Sequence, residues 1–287
     1  MWQVALLGFF VFGTTAYIVR RMLMRHRESS SKLFNLIFWL LFFMPSGWVV
    51  GFILPHDMNI GWENAALLFA GAIFWPIVGL VGFRANKEVD TGVYAIINNL
   101  SPIITLGIAV TLLSETLNLR SGSGIALLIL SGLIVAYPLL REGTHSSRYG
   151  LFLCGITVLA GGIGAAYEKW MLTRVGLGTY MIYAWTFQTI WLAAFARSEI
   201  FTALRFFKTA DQHAKRLVAI FGVSNVLRTI CFQTALYLGT ASVISASSNF
   251  LAVTVLIAAY FVLKEKKYLG YKIGATVVGI TGLLLVA

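Results

Sequence analysis

Residues 243–265 read VISASSNFLAVTVLIAAYFVLKE, and residues 93–115 read VYAIINNLSPIITLGIAVTLLSE. Each is an apolar run of about 20 residues, long enough as a helix to cross the ~30 Å hydrocarbon core of a bilayer. A shift of 150 positions sets Val93 on Val243, Asn99 on Asn249 and Glu115 on Glu265. The same shift carries on to Gly124 on Gly274, Gly132 on Gly282 and Leu133 on Leu283. A shift of 149 sets Gly13, Met22, Leu23 and Arg25 on Gly162, Met171, Leu172 and Arg174. Matches at both ends of a unit at nearly one offset mean that a membrane-spanning unit occurs twice.

The rest of the chain agrees with this reading. Of its 287 residues 59% are hydrophobic and only 11% charged, and the mean hydropathy is +0.83, more apolar surface than a soluble fold can hide. Apolar segments of spanning length fall at roughly 2–23, 33–54, 65–83, 89–113, 122–140, 149–171, 178–196, 217–238, 240–263 and 269–287. The expected fold is therefore an all-α membrane protein with ten transmembrane helices as two five-helix repeats, residues 1–141 and 148–287. Five is odd, so the second repeat enters the membrane from the opposite side and the pair is inverted. The first segment runs into Arg20, Arg21 and Arg25 with no small-residue cleavage site, so it is expected to stay in the mature protein.

The formal charge of +11 raises nucleic acid as a partner, but the basic residues sit between apolar runs and mostly in alternate loops. Arg20, Arg21, Arg25, Arg27 and Lys32 follow the first segment, Arg84 and Lys87 the third, and Arg141 and Arg148 the fifth. Five more basic residues lie in 197–216 and three in 264–267, whereas residues 55–64 hold none. Membrane insertion accounts for this alternation without nucleic acid, and it puts both termini outside the inner membrane of a bacterial cell. The basic stretch 197–216 is long enough to lie along an anionic leaflet, with a solvated connector as the plainer reading.

Several chemistries are not expected. Cys154 and Cys231 lie within apolar runs, and His26, His56, His145 and His213 fall in separate loops, so neither a metal nor another cofactor is indicated. The chain has no GxxxxGK[ST] loop, HExxH or GxSxG, so it carries no ATPase motif and no signature of an enzyme.

Residues Ala95 to Pro102, Leu113-Ser-Glu115, Gly122-x-Gly124 and Gly132 form a pattern that returns as Ala246-Ser-Ser-Asn249, Leu263-Lys-Glu265 and Gly274 to Gly282. In these segments the chain resembles an EamA-type transporter of the drug/metabolite transporter superfamily. The resemblance implies a ten-helix exporter or exchanger with a central cavity lined by helices one, three, four, six, eight and nine, with five and ten peripheral. It also implies cytoplasmic termini, which the loop charges oppose. Compact multidrug exporters of that superfamily carry a carboxylate in their first helix, and this first helix has none, so a lipophilic cation is not the expected substrate.

Polar groups are costly in hydrocarbon, so those within spans mark cavities or helix contacts. Arg228 lies mid-span with Asn225 one turn earlier, and its fork would suit a carboxylate or phosphate. The alternative is an ion pair with Glu168, the deepest acid, which could equally be a proton site. Thr91, Tyr94, Asn98, Ser101 and Thr105 share a face of the fourth span beside Asn99, and Pro102 frees backbone groups there. Ser242, Ser245, Ser248 and Asn249 answer from the ninth, either lining a pore or joining helices. Trp75, ahead of Pro76, is the candidate aromatic wall. Glu115 and Glu265 read as caps or ion pairs, with gates as the alternative.

These residues point to a small-molecule substrate, a small polar or anionic metabolite such as an amino acid, moved across the lipid bilayer by alternating access. A lipid-linked sugar or headgroup, or a non-transporting sensor or assembly protein, stands as the alternative. Gly47-x-x-x-Gly51 and Gly270-x-x-x-Gly274 would allow close helix packing, including a homodimer.

Overall fold

The computed structural model describes residues 1–26, 31–89, 94, 97–98, 100–142, 147–262 and 269–286. Hydrocarbon offers backbone groups no partners, so a spanning chain must satisfy them within helices. The described residues form α1 (Trp2–His26), α2 (Ser31–Phe38), α3 (Met44–Ile53), α4 (Gly61–Gly71), α5 (Phe74–Glu88) and α6 (Ser101–Thr111). They continue with α7 (Leu119–Glu142), α8 (Arg148–Val175), α9 (Leu177–Phe195), α10 (Ile200–Thr209) and α11 (Gln212–Leu238). The last three are α12 (Ala241–Ser248), α13 (Phe250–Val262) and α14 (Leu269–Val286). Among the described residues, five stretches are long and apolar enough to cross a membrane: Trp2–Arg20, Lys32–Ile53, Gly61–Gly82, Arg148–Val175 and Gln212–Leu238. Shorter apolar helices lie between them.

Two of the spans are irregular where proline removes a donor. Pro45 has no N–H, and just before it the Met44 N–H reaches back to the Trp39 carbonyl, so Trp39–Phe43 form a π segment joining α2 to α3. That segment turns Phe43 onto Trp185 of α9, ring centroids 4.6 Å apart, while Phe38 packs on Phe221 of α11. Pro76 likewise cannot donate to Ala72, and the chain turns at Ala72 and Ile73 between α4 and α5. The Tyr167 hydroxyl donates to the Leu67 carbonyl beside this break, and its ring lies where any Cβ on Gly71 would go.

The helices associate in a regular scheme. α1 packs on α11, and α5 packs on α8; α3 lies against α9, α6 against α12, and α7 against α14. Close approaches follow from missing Cβ atoms: a Cβ on Gly51 would sit 2.4 Å from Ile182 Cγ1 and 2.8 Å from the Gly178 carbonyl. Gly47-x-x-x-Gly51 thus packs α3 on α9 within the chain, whereas Gly270 and Gly274 meet nothing. The main core gathers Phe43, Leu68, Met171, Met181, Trp185 and Phe221.

Residues 197–216 are more ordered than a solvated connector. A short 3₁₀ turn, Arg197–Glu199, leads into α10, which seals Ala203 among Leu36, Ile37 and Val218 and leaves Phe201, Leu204, Arg205 and Lys208 exposed. Asp211 then caps α11 by accepting from the Ala214 N–H at 2.7 Å.

At the end of the bundle that holds the sparsely charged loops, contacts tie early segments to late ones. Arg174 pairs with Glu63 at 2.8 Å, Tyr183 donates to the Met58 carbonyl, and the Asp57 N–H donates to Thr179. Glu115 accepts from the Ala241 N–H (2.6 Å), the Ser242 N–H (3.1 Å) and the Ser242 hydroxyl (2.6 Å), so it caps α12 as the sequence suggests. Glu265 lies outside the described residues.

Candidate functional site

Arg228 projects from α11 toward α1, and Gly13 makes room for it. A Cβ on Gly13 would sit 3.1 Å from Arg228 Cδ and 2.8 Å from Leu251 Cδ1. The guanidinium carbon lies 6.0 Å from the centre of the Phe9 ring. Its Nε is sealed from solvent without a hydrogen-bond partner, while the side chain as a whole stays partly accessible. A buried guanidinium donor left unpaired is costly, which sets Arg228 apart from the other polar groups of the bundle. The electrostatic neighbours of Arg228 are Tyr17 and Arg20 of α1. Asn225, one turn earlier, is partly buried and its carbonyl accepts from Thr229 at 3.0 Å.

Tyr94 belongs to the same neighbourhood. Asn98, Tyr17 and Arg20 stand among its electrostatic neighbours. Its hydroxyl would lie 2.6 Å from a Cβ on Gly82, so this glycine is what lets the ring reach inward. Arg228, Tyr17, Arg20, Tyr94 and Asn98 therefore lie in one polar neighbourhood around the α1 face, in which Tyr17 reads from the sequence as a further candidate aromatic wall and Arg20 only as a loop charge. An inventory of polar residues on the first span facing Arg228 would have added Arg20. Asn99 and Thr91, candidates on the same span, lie outside the described residues.

Other candidates have structural partners. Ser245 is buried, and its hydroxyl donates to Thr105 Oγ1 at 3.2 Å, which in turn donates to the Gly162 carbonyl at 3.0 Å. This chain of bonds joins α12, α6 and α8, the helix-joining alternative of the two readings. Asn249 is partly buried at the interruption between α12 and α13.

Glu168 is not paired with Arg228. It is 2% exposed, and Gln233 Nε2 donates to its Oε1 at 2.6 Å. Tyr180 and Trp75 also lie near its side chain. Trp185 Nε1 donates to Gln233 Oε1 at 3.2 Å. The next residue, Lys169, turns away, and its ammonium donates to the carbonyls of Leu236, Tyr237 and Gly239. Gln233 and Tyr180 escaped the sequence reading, although a glutamine inside an apolar span is the kind of residue that marks a buried polar site.

An all-helical, multi-pass membrane protein with a cationic cluster and a caged acid within its bundle has the features of a solute transporter. The model of the EamA-like transporter family matches residues 2–137. The first half of the chain is thus similar to this family, and the match is consistent with a membrane transporter of the drug/metabolite superfamily. No curated protein matches the chain. Among solved structures 27 chains match, and one, titled only "Crystal structure of protein", covers 99% of this chain and 95% of its own with a TM-score of 0.75 at 12% identity. At that identity the likeness is one of fold.

Proposed function

We propose that the protein is a secondary transporter that moves a small polar or anionic metabolite, of the amino-acid or related carboxylate class, by alternating access. Its ten spans form two inverted five-helix repeats, 1–141 and 148–287, in a bacterial inner membrane with both termini outside. The helix pairing supports this arrangement: exchanging the halves turns the α1–α11 contact into α8–α5, and leaves the pairs α3–α9, α6–α12 and α7–α14 unchanged. A pseudo-two-fold axis in the membrane plane requires this exchange.

The observation that carries the substrate class is Arg228, whose Nε is buried and unpaired and which no carboxylate among the described residues neutralises. A substrate carboxylate would supply the missing acceptors, with Tyr94, Asn98 and Asn225 orienting the remainder. Contacts between early and late segments close the end with sparse charge, which favours entry to the cluster from the basic end. The non-transporting alternative requires Arg228 to be satisfied by side chains, and its unpaired Nε speaks against that.

The test is a thermal-stability shift of the purified protein against amino acids, other carboxylates, phosphates and quaternary ammonium compounds, repeated with Arg228→Gln. A ligand that binds the folded state raises its stability by mass action. Stabilisation by one acid class that is lost in the variant is the expected result. Stabilisation by cations, or by acids equally in both proteins, refutes the Arg228 site and favours a lipid-linked solute.

A further inference from the structure

α10 holds 10 residues, a helix of about 15 Å, roughly half the thickness of the hydrocarbon core. Its buried Ala203 packs among Leu36 and Ile37, near the start of the apolar stretch Lys32–Ile53, and Val218, near the start of Gln212–Leu238. α10 therefore sits where two membrane-spanning stretches begin, one from each half of the chain. We propose that its outer face docks on anionic lipid headgroups of the leaflet at that margin, which is the cytoplasmic one in the orientation given above. This rests on the membrane reading, and on neither the solute nor the Arg228 site.

Helix geometry sorts the residues. At roughly 100° per residue, with the buried Ala203 marking the side seated on the protein, Leu204 turns about 100° away from that seat. Lys208, Phe201 and Arg205 follow within about 60° of one another on the outer side, and the exposed Thr202 and Thr209 complete the polar flank. The apolar arc is thus wider than the seat it fills, and Phe201 stays 74% exposed and Leu204 53%. Single exposed apolar residues are ordinary, but two of them beside Lys208 and Arg205 at a membrane margin fit the pattern of an interfacial helix. The apolar side chains enter the upper acyl carbons, and the long basic ones reach back to the level of the phosphates.

The charges select the headgroup. Within residues 197–216, Arg197, Arg205, Lys208, Lys215 and Arg216 are offset only by Glu199 and Asp211, and the Asp211 carboxylate is held by the Ala214 N–H. Lys32, exposed on the first turn of α2, adds a cation at the same margin. Among the described residues no acid pairs with Arg205 or Lys208. Each cation so placed strengthens binding to an anionic surface by about fivefold, within about a Debye length of it. A second copy of the chain is a poorer occupant, because a two-fold contact through this face would bring like charges together.

The seat of α10 gives this contact a consequence. Its inner side rests on α2 and α11, so a leaflet that holds Phe201 and Leu204 also holds the early half of the chain to the late half at this end. At the opposite end the Arg174–Glu63 pair and the Glu115 cap of α12 make that link through protein groups. At the basic end part of the link comes from lipid, so the anionic fraction of the membrane sets how firmly that end is held.

The experiment has two arms on the full-length protein. In detergent micelles, phosphatidylglycerol should raise the melting temperature of wild type and phosphatidylcholine should not. The double variant Arg205→Gln/Lys208→Gln should lose most of that shift, through a fall of about 25-fold in apparent affinity. Equal shifts by the two lipids, equal phosphatidylglycerol shifts in the two proteins, or a shift that inorganic phosphate reproduces and the double variant loses overturns the proposal. In vesicles of the two lipids, a nitroxide attached after Leu204→Cys should be reached by oxygen in preference to a water-soluble nickel chelate. One attached after Thr202→Cys should show the reverse, both in a background of Cys154→Ala and Cys231→Ala. A Leu204 label open to the chelate overturns the proposal, and a label sheltered from both reagents overturns it in favour of a protein partner. Should the labelled proteins not fold, the lipid titration decides. The double variant should keep the small-anion shift of wild type, and absence of that shift from both refutes the Arg228 site while the lipid result stands.

Discussion

Replacing Glu115 by alanine removes three bonds at once. α12 begins after Thr240, whose side chain makes no capping bond, so the first N–H groups of that helix depend on an acceptor from elsewhere. Glu115 supplies it from the connection after α6, where Ser114 takes a left-handed backbone conformation (φ 54°). Loss of an N-cap costs about 1 kcal/mol, and loss of a negative charge at a helix N-terminus adds about 0.3–1. The Ser242 hydroxyl, bound at 2.6 Å, loses a charge-assisted partner worth about 1.5–3 kcal/mol. These terms overlap because one carboxylate makes all three bonds, so the expected loss is about 2–3 kcal/mol. Glu115→Gln keeps one acceptor oxygen and should lose about half as much. Equilibrium unfolding in denaturing detergent measures both, and a double-mutant cycle with Ser242→Ala should give a coupling of about 1 kcal/mol. A Glu115→Ala protein within about 0.5 kcal/mol of wild type, or strictly additive losses with Ser242→Ala, would refute the capping role.

Gly71→Ala places a methyl group 1.9 Å from Tyr167 Cε1 and forces the ring off the Leu67 carbonyl, which should cost about 2–4 kcal/mol, whereas Tyr167→Phe should cost only about 1 in the same assay. Gly51→Leu, which drives a side chain into Ile182 and the Gly178 carbonyl, should prevent recovery of folded protein, while Gly270→Leu, with nothing around it, should leave the yield and melting temperature unchanged. Arg174→Gln should lower stability by less than about 1 kcal/mol, because the Arg174 and Glu63 side chains of the pair are 37% and 65% exposed; a larger loss would show that this link between segments matters more than a surface ion pair should.

How far the sequence carried is clearest at particular residues. The apolar run read as 122–140 is helical over Leu119–Glu142, and that read as 149–171 over Arg148–Val175. Most of the extra residues, Arg120, Ser121, Arg141, Glu142, Arg148, Thr173 and Arg174, are polar, and there a helix continues although hydropathy has ended. The run at 65–83 was right as a span but is two helices, because a proline acts on the carbonyl four residues before it and the break at Ala72 and Ile73 carries no signal of its own. The π segment has the same origin, ahead of Pro45. Arg228 was legible because an isolated cation in an apolar span has few explanations. Its supposed partner was not, since choosing Glu168 matched charge to charge and ignored which side of α11 each residue occupies.

The same point explains why Glu168 has the neighbours it does. Its donor comes from α11 and the indole that orients that donor from α9, and no local spacing relates Glu168, Gln233 and Trp185. What sequence does contain is a constraint on each: a tryptophan or glutamine buried deep in a lipid-embedded bundle must spend its N–H on something. Trp185 spends its own on Gln233, which leaves the Gln233 amide nitrogen needing an acceptor, and Glu168 is that acceptor. The polar groups of this bundle sort by that rule. Ser245, Thr105, Ser242 and Lys169 end on fixed protein acceptors and so hold helices together. Arg228 Nε ends on none among the described residues, and Glu168 accepts from the Gln233 amide. Of these groups Arg228 is the one whose need the fold leaves open, and an anion would meet it.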